Sequence, residues 1–344
     1  MRPDEFGPEN GERSGAEDPT SPGNFASDLP TQAVGTTDGR VGHSIGPYRL
    51  LELIGKGGMG EVWLAEQTHP IRRRLALKLI KAGMDTHEVV KRFESERQAL
   101  ALMNHSAIAK VFDAGATPAG RPYFVMEYVP GTPITQYCDE HKLTTRQRLE
   151  LFIAVCEAVQ HAHQKAILHR DLKPSNILVS AVEGRAAPRI IDFGIAKAST
   201  PGLGGEAIYT RVGSMMGTPG YISPEQADSS GLDVDTRTDV YSLGVVLYEL
   251  LVGAPPQDFS RTPPDQFRRR LRDEDAPRPS TKLRAGGKYS GVAARNRRTL
   301  APALARQLRG DLDAIALKAL EKDRARRYAT PAELAADIGR YLRN

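Results

Sequence analysis

Asp171, Lys173 and Asn176 stand close together in the run Leu168-His169-Arg170-Asp171-Leu172-Lys173-Pro174-Ser175-Asn176. A carboxylate that takes a proton, a lysine that meets negative charge and an amide oxygen that meets a metal together suit phosphoryl transfer. Leu168 precedes the run and Ile177-Leu178-Val179 follows it, so buried apolar segments are expected to pin the loop on both sides. Taken singly, such a run is equally an ordinary solvated loop. The rest of the chain has to supply a phosphate cover, a second metal group and the elements that hold them.

A phosphate cover is offered by Gly55-Lys56-Gly57-Gly58-Met59-Gly60, a G-x-G-x-x-G between two stretches of strand character, Tyr48–Ile54 and Glu61–Ala65. In a dinucleotide-binding domain the same glycines would open a helix. The β-branched and aromatic residues that follow here favour a strand, and so a hairpin whose tip closes over phosphates through backbone N–H groups. A third strand is predicted over Leu75–Ile80, where Lys78 stands in an otherwise apolar run. A buried lysine needs an anionic partner. The helical periodicity from about Val89 to Met103 presents Glu94 and Glu96, either of which could face it; a lysine snorkelling to water is the plainer alternative.

Further strands are expected near Ile108–Phe112 and Tyr123–Tyr128, with a break at Val129-Pro130-Gly131 that sets a boundary between two lobes. Arg148 to Gln164 reads as a long helix with Leu149, Phe152, Val155, Cys156 and Val159 on one face. His161 and His163 are two apart and so point in different directions on that helix, which argues against joint metal ligation. Beyond the opening loop comes a hairpin and then Ile190-Ile191-Asp192-Phe193-Gly194, which adds a second carboxylate.

With that carboxylate in place, the chain resembles the eukaryotic-like (Hanks-type) serine/threonine protein kinases of bacteria over about residues 48–344. The Gly-rich hairpin Gly55–Val62, Ala76-Leu77-Lys78, His169-Arg170-Asp171…Asn176 and Asp192-Phe193-Gly194 occur in that family's order. The resemblance implies an α+β, bilobal protein-kinase fold. Its N-lobe (47–129) would be a small antiparallel β-sheet with one main helix, and its C-lobe (130–344) larger and mostly helical. It also implies roles. Ile54, Gly55, Lys56, Gly57, Gly58, Met59, Gly60, Glu61 and Val62 would cover ATP, with Val62 and Ala76 lining the adenine pocket and Met126 guarding its rear. Glu127 and Val129 would offer backbone hydrogen bonds to adenine. Lys78 would hold the α- and β-phosphates, paired with Glu96. Asp171 would orient the acceptor hydroxyl and take its proton, and Lys173 would stabilise the transferring phosphoryl group. Asn176 and Asp192 would hold Mg²⁺, with Mn²⁺ as a substitute.

Asp171-Leu172-Lys173-Pro174 and Gly217-Thr218-Pro219-Gly220-Tyr221 look like the serine/threonine branch of that family, with Thr218 contacting Asp171 and Lys173. Ser223-Pro224-Glu225 and Ser106 depart from its usual Ala-Pro-Glu and Asn-His-Pro, small exchanges that leave the chemistry intact. Glu225 is expected to pair with Arg327, and Asp239 to hydrogen-bond back to the catalytic loop. The Asp192–Glu225 segment contains Thr200, Thr210 and Ser214. Arg170 could pair with a phosphate there, so autophosphorylation at Thr210 and then Ser214 is expected, with a dimer as one route to it. The rival from another class is a catalytically silent kinase-fold scaffold. It would be expected to have lost Lys78, Asp171, Asn176 or Asp192, and all four are present.

Composition bounds the rest. The apolar and charged fractions, 40% and 26%, are those of a soluble globular protein. Two cysteines, Cys138 and Cys156, give no disulfide framework, the amino terminus lacks a signal pattern, and the apolar run near Leu243–Val252 is too short to span a bilayer. A cytoplasmic location is expected. Residues 1–46 are rich in Gly, Pro, Ser, Thr and acidic groups and read as a disordered tail; the first 47 residues hold eight acidic and three basic side chains. Residues 261–309 hold fourteen basic against four acidic. The basic, proline-containing stretch from about 255 to 308 is read as a solvated, flexible insertion. Only Phe267 and Tyr289 could stack there, so nucleic-acid binding is not expected. Protein substrates are the expected partners, and the insertion could also dock acidic segments, the chain's own tail among them.

Overall fold

Side chains alternate across a strand, and in Arg73–Ile80 that period sorts Leu75, Leu77 and Leu79 to one face and Ala76, Lys78 and Ile80 to the other. The first set joins Tyr48, Leu50, Trp63, Ala65, Tyr123 and Val125 in a small outer core. Ala76 and Ile80 instead belong to the larger core that continues into the helical lobe. Lys78 is thereby aimed at the cleft between the lobes.

The structure is a computed structural model that describes residues 40–57, 60–81, 103–193, 219–228, 234–260, 262–286 and 288–344. The expected helix with Glu94 and Glu96, the hairpin tip Gly58 and Met59, and the segment with Thr200, Thr210, Ser214 and Thr218 lie outside the described residues. The first sheet is antiparallel throughout, in the order β1-β2-β3-β4-β6-β5. Its strands are β1 (Ser44–Ile45), β2 (Tyr48–Gly57), β3 (Gly60–Gln67), β4 (Arg73–Ile80), β5 (Val111–Ala116) and β6 (Pro122–Glu127). β5 begins three residues later than expected, because Ile108 is taken by a parallel bridge to Ile190 in the other lobe. The tail differs too: disorder was expected through residue 46, yet Ser44 and Ile45 pair with Arg49 and Tyr48. Arg40 Nη1 donates to Glu61 Oε2 at 2.8 Å, tying this added strand to the Gly-rich hairpin.

Past Tyr128–Gly131 the chain enters a lobe built around α4 (Thr236–Val252). Asp235 caps its start by accepting from Arg237 N, and Gly253 ends it in the left-handed region at φ 84°. Nearly every residue of α4 is buried, so other helices must wrap it. These include α2 (Thr145–His163), opened by a reciprocal Thr144/Gln147 cap, α9 (Asp311–Ala319) and α10 (Pro331–Arg343). The predicted face of α2, from Leu149 to Val159, is fully buried. Helix α1 (Ile134–Glu140) and the sheet β7 (Thr132–Pro133), β8 (Ile177–Val182) and β9 (Arg185–Ile190) flank the loop that holds Asp171. Helix α3 (Pro224–Ala227) lies before α4.

The insertion is not a flexible excursion. It folds into α5 (Pro264–Asp273), α6 (Pro279–Arg284), α7 (Lys288–Asn296) and α8 (Ala301–Leu308). Phe267, Leu271, Leu283, Ala294, Leu304 and Leu308 send it into the main core. Most of the arginines that set its composition are exposed, on or between short amphipathic helices, a pattern that average charge conceals.

Candidate active site

The loop that carries Asp171 is held by one buried carboxylate. Asp239, in the first turn of α4, accepts from His169 N at 2.8 Å, Arg170 N at 2.8 Å and His163 Nε2 at 2.7 Å. Burial alone would raise its pKa. The hydrogen bond from His163 and the other donors outweigh that and hold the carboxyl below its ordinary value. These bonds stabilise a backbone that would otherwise be strained, since Arg170 sits at φ 61°. Gln226 of α3 adds a bond from Nε2 to Arg170 O at 2.9 Å.

On this base the three polar groups converge. Lys173 Nζ lies 3.2 Å from Asp171 Oδ2. Asn176 Nδ2 donates to Asp171 O at 2.8 Å and to Asp171 Oδ2 at 3.2 Å. With its nitrogen so engaged, the Asn176 side chain keeps its oxygen as a hard donor. The second carboxylate is tied to the same loop: Ile191 N donates to Asn176 O at 2.9 Å, and His169 Nε2 lies 3.1 Å from Ile191 O. His169 is buried and its pKa is lowered, chiefly by that burial, so its neutral ring donates through Nε2 and accepts from Asp171 N through Nδ1 at 3.3 Å. Phe193 packs on that ring at 4.6 Å between centroids. Asp192, at φ 60°, receives Lys78 Nζ in an ion pair through Oδ1. Lys78 is thus brought to the Asp192 carboxylate across the cleft, while Glu96 lies outside the described residues.

Above this, Val62 faces Lys78 across β3 and β4, and Ala76 faces Met126 across β4 and β6. Ile54 packs half-buried against the same core. Glu127 N donates to Lys110 O at 2.8 Å and its carboxylate pairs with Arg189. Gly60 needs its residue type: at φ 147°, a Cβ there would come within 2.1 Å of Leu79 O. Lys56 Nζ lies 3.8 Å from Glu61, which also holds Arg40.

The expected Glu225–Arg327 pair is bidentate, at 2.6 and 2.8 Å, and Thr238 Oγ1 also donates to Glu225 Oε1 at 2.9 Å. Burial would raise the Glu225 pKa, but the guanidinium bonds outweigh it and the carboxyl lies below its ordinary value. Two participants escaped the sequence reading. His163 was considered only as a metal ligand, and Gln226 not at all. Their signal is positional: His163 ends α2 six residues before His169, and Gln226 closes a Ser-x-x-Gln cap.

Comparison with known proteins agrees with this geometry. The family model described as protein kinase domain matches residues 48–334. The chain belongs to the protein kinase family. It is 39% identical over 298 residues to serine/threonine-protein kinase PknB of Mycobacterium tuberculosis, covering 85% of this chain and 42% of that protein. It is 40% identical over 221 residues to serine/threonine-protein kinase Pkn1 of Myxococcus xanthus, covering 64% of this chain and 31% of that protein. The chain thus spans less than half the length of these relatives. Among solved structures, a double mutant of the Mycobacterium tuberculosis PknI kinase domain superposes with a TM-score of 0.63 at 26% identity, covering 88% of this chain and 98% of that one. The fold is therefore the protein-kinase fold, with the antiparallel N-lobe sheet and helical C-lobe expected. Among the described residues no helix is long and apolar enough to cross a membrane.

Proposed function

We propose that the chain transfers the γ-phosphoryl group of ATP to serine or threonine hydroxyls of proteins. The observation that carries this reading is the convergence of Asp171, Lys173 and Asn176 on a loop bonded through Ile191 to the Lys78–Asp192 pair. Asp171 orients the acceptor hydroxyl and takes its proton. Lys173, beside it, neutralises charge on the transferring group, and Lys78 holds the α- and β-phosphates. The hairpin from Ile54 to Val62 covers those phosphates, and the Glu127 carbonyl and Val129 backbone fix the purine. Glu96 is the proposed partner of Lys78.

Asn176 and Asp192 supply two hard oxygen donors, and no cluster of three or more His, Cys, Asp or Glu groups occurs among the described residues. That set fits Mg²⁺, which takes one or two protein oxygens and fills its remaining positions with water and phosphate. Asn176 and Asp192 would hold the ion, which would supply positive charge to the phosphate oxygens.

Autophosphorylation at Thr210 and Ser214, recognised by Arg170, and a role for Thr218 beside Asp171 and Lys173 complete the proposal, with a transient dimer serving autophosphorylation in trans. A cytoplasmic setting suits a chain whose two cysteines are buried and unpaired. The test is incubation with Mg-ATP and a generic basic protein. Wild type incorporates phosphate, and Asp171→Ala loses a factor of about 10²–10⁴ in rate, the range for removing a general base. No incorporation by wild type would leave a silent scaffold as the better reading. A phosphosite map lacking both Thr210 and Ser214 would sink the regulatory part.

A further inference from the structure

Residues 276–310 contain nine basic side chains and no acidic one. Two of the nine are engaged internally: Arg297 is buried and donates to Leu250 O and Ala293 O, and the Lys282 amine donates to Pro255 O and Pro256 O. Arg284, Arg295 and Arg298 are exposed. Among the described residues none of these three pairs with a carboxylate, and Arg298 reaches only His141 O, at 3.3 Å. They sit on α6, α7 and the turn after it, in a layer where α6, α7 and α8 pack on one another.

The same layer exposes apolar surface. Tyr289, Val292 and Leu300 are 56%, 42% and 76% exposed, and they are three of the seven large exposed hydrophobics among the described residues. Tyr289 and Val292 stand three apart on α7 and so share a face, with Arg295 one turn further along it. Single exposed hydrophobics need no explanation, but apolar groups concentrated among cations without carboxylate partners describe a surface for an acidic segment with apolar residues.

We propose that the chain's own residues 1–39 dock on this layer. They carry eight acidic and two basic side chains, together with Phe6, Phe25 and Leu29. The tail leaves the folded domain at Arg40, which is fixed to Glu61. From there a stretch reaching back to Asp18 spans up to about 75 Å when extended, against roughly 50 Å across a domain of this size. Attachment in the same chain gives the tail an effective concentration on the order of millimolar, which a free acidic partner has to exceed. A nucleic acid would want several stacking aromatics, and among the described residues Tyr289 is the one aromatic exposed on this face.

The experiment uses the full chain carrying Ser27→Cys and a nitroxide label. Cys138 and Cys156 are buried, and burial pushes the Cys138 thiol up to about 11, so the label goes to position 27. Amide signals of residues 284–300 should fall below half their unlabelled intensity at about 50 mM salt and recover at about 500 mM, where the screening length is short. They should also recover when Arg284→Glu, Arg295→Glu and Arg298→Glu are combined. Absence of broadening there, or broadening indifferent to both salt and charge reversal, would overturn the proposal. Broadening in an isotope-labelled copy mixed with a spin-labelled one would overturn it in favour of a second molecule. Silent tail signals, together with co-sedimentation on vesicles of equal parts phosphatidylglycerol and phosphatidylcholine that charge reversal abolishes, would overturn it in favour of a lipid surface. If the triple variant misfolds, the salt arm alone decides.

Discussion

Replacing Asp239 by Asn keeps the shape of the side chain and removes its charge and one acceptor. The carboxylate now receives three buried hydrogen bonds, at 2.8, 2.8 and 2.7 Å. An asparagine whose oxygen faces His169 N and His163 Nε2 presents its NH₂ to Arg170 N, setting donor against donor. The stranded amide costs about 1–3 kcal/mol, and the two surviving bonds each fall from roughly 1.5–3 to roughly 1 kcal/mol as the charge is lost. The total is about 2–7 kcal/mol, a large part of the stability of a typical domain. Thermal melting should drop by roughly 3–11 °C for a chain of this size. The left-handed turn at Arg170 should relax, moving Asp171. A displacement on the order of 1 Å costs about 10²-fold in rate, so kcat should fall by that factor while the KM for ATP changes little. Melting followed by circular dichroism and steady-state phosphorylation of a peptide read the two effects. A variant that melts within about 2 °C of wild type and keeps its kcat would refute the anchoring role.

Glu225→Gln should lose stability at neutral pH, because the Arg327 side chain is fully buried and would lack a counter-charge, a situation worth about 3–5 kcal/mol when a partner is removed outright. Since the folded carboxyl lies below its ordinary value of 4.5, the pair's contribution is complete above that pH and fades below it. Urea titrations across pH should therefore show the wild-type advantage constant on the neutral side and narrowing under pH 4.5; an advantage independent of pH would contradict the assignment. Phe267→Ala should cost about 3–5 kcal/mol, as for a fully buried aromatic, and its edge-on contact with Phe259 at 5.0 Å would be lost; an unchanged melting temperature would restore the picture of a loose insertion. Gly60→Ala should strain the hairpin by about 1–3 kcal/mol and weaken nucleotide binding about tenfold, read by calorimetric titration with ATP. Unaltered affinity would mean the hairpin does not cover the phosphates.

The parts legible in the sequence were those whose polar residues interrupt apolar runs. Lys78 within Leu75–Ile80 pointed to an anion, with snorkelling to water as the alternative, and Asp192 pairs with it. The alternation that aims Lys78 into the cleft was readable from β4 alone. Asp239 was anticipated as an anchor, but its third donor, His163, was not, because a histidine two residues from another suggests a metal before it suggests a carboxylate. The helices of the insertion stayed hidden because their buried residues, such as Phe267 and Leu271, are sparse among arginines. β1 was missed for a different reason: two residues carry no period, and its pairing depends on the strand it meets.

Asp239 also sets a timetable. It lies 70 residues after His169, and Arg327 lies 102 residues after Glu225. At about 5–20 residues per second, a ribosome needs roughly 4–14 s after making the catalytic loop to deliver the carboxylate that shapes it, and longer again for the arginine that secures α3. Until then the left-handed turn at Arg170 lacks the two backbone bonds that Asp239 supplies. The emerging chain thus carries Lys78, Asp171, Lys173, Asn176 and Asp192 before the carboxylate that shapes the Asp171 loop has been made.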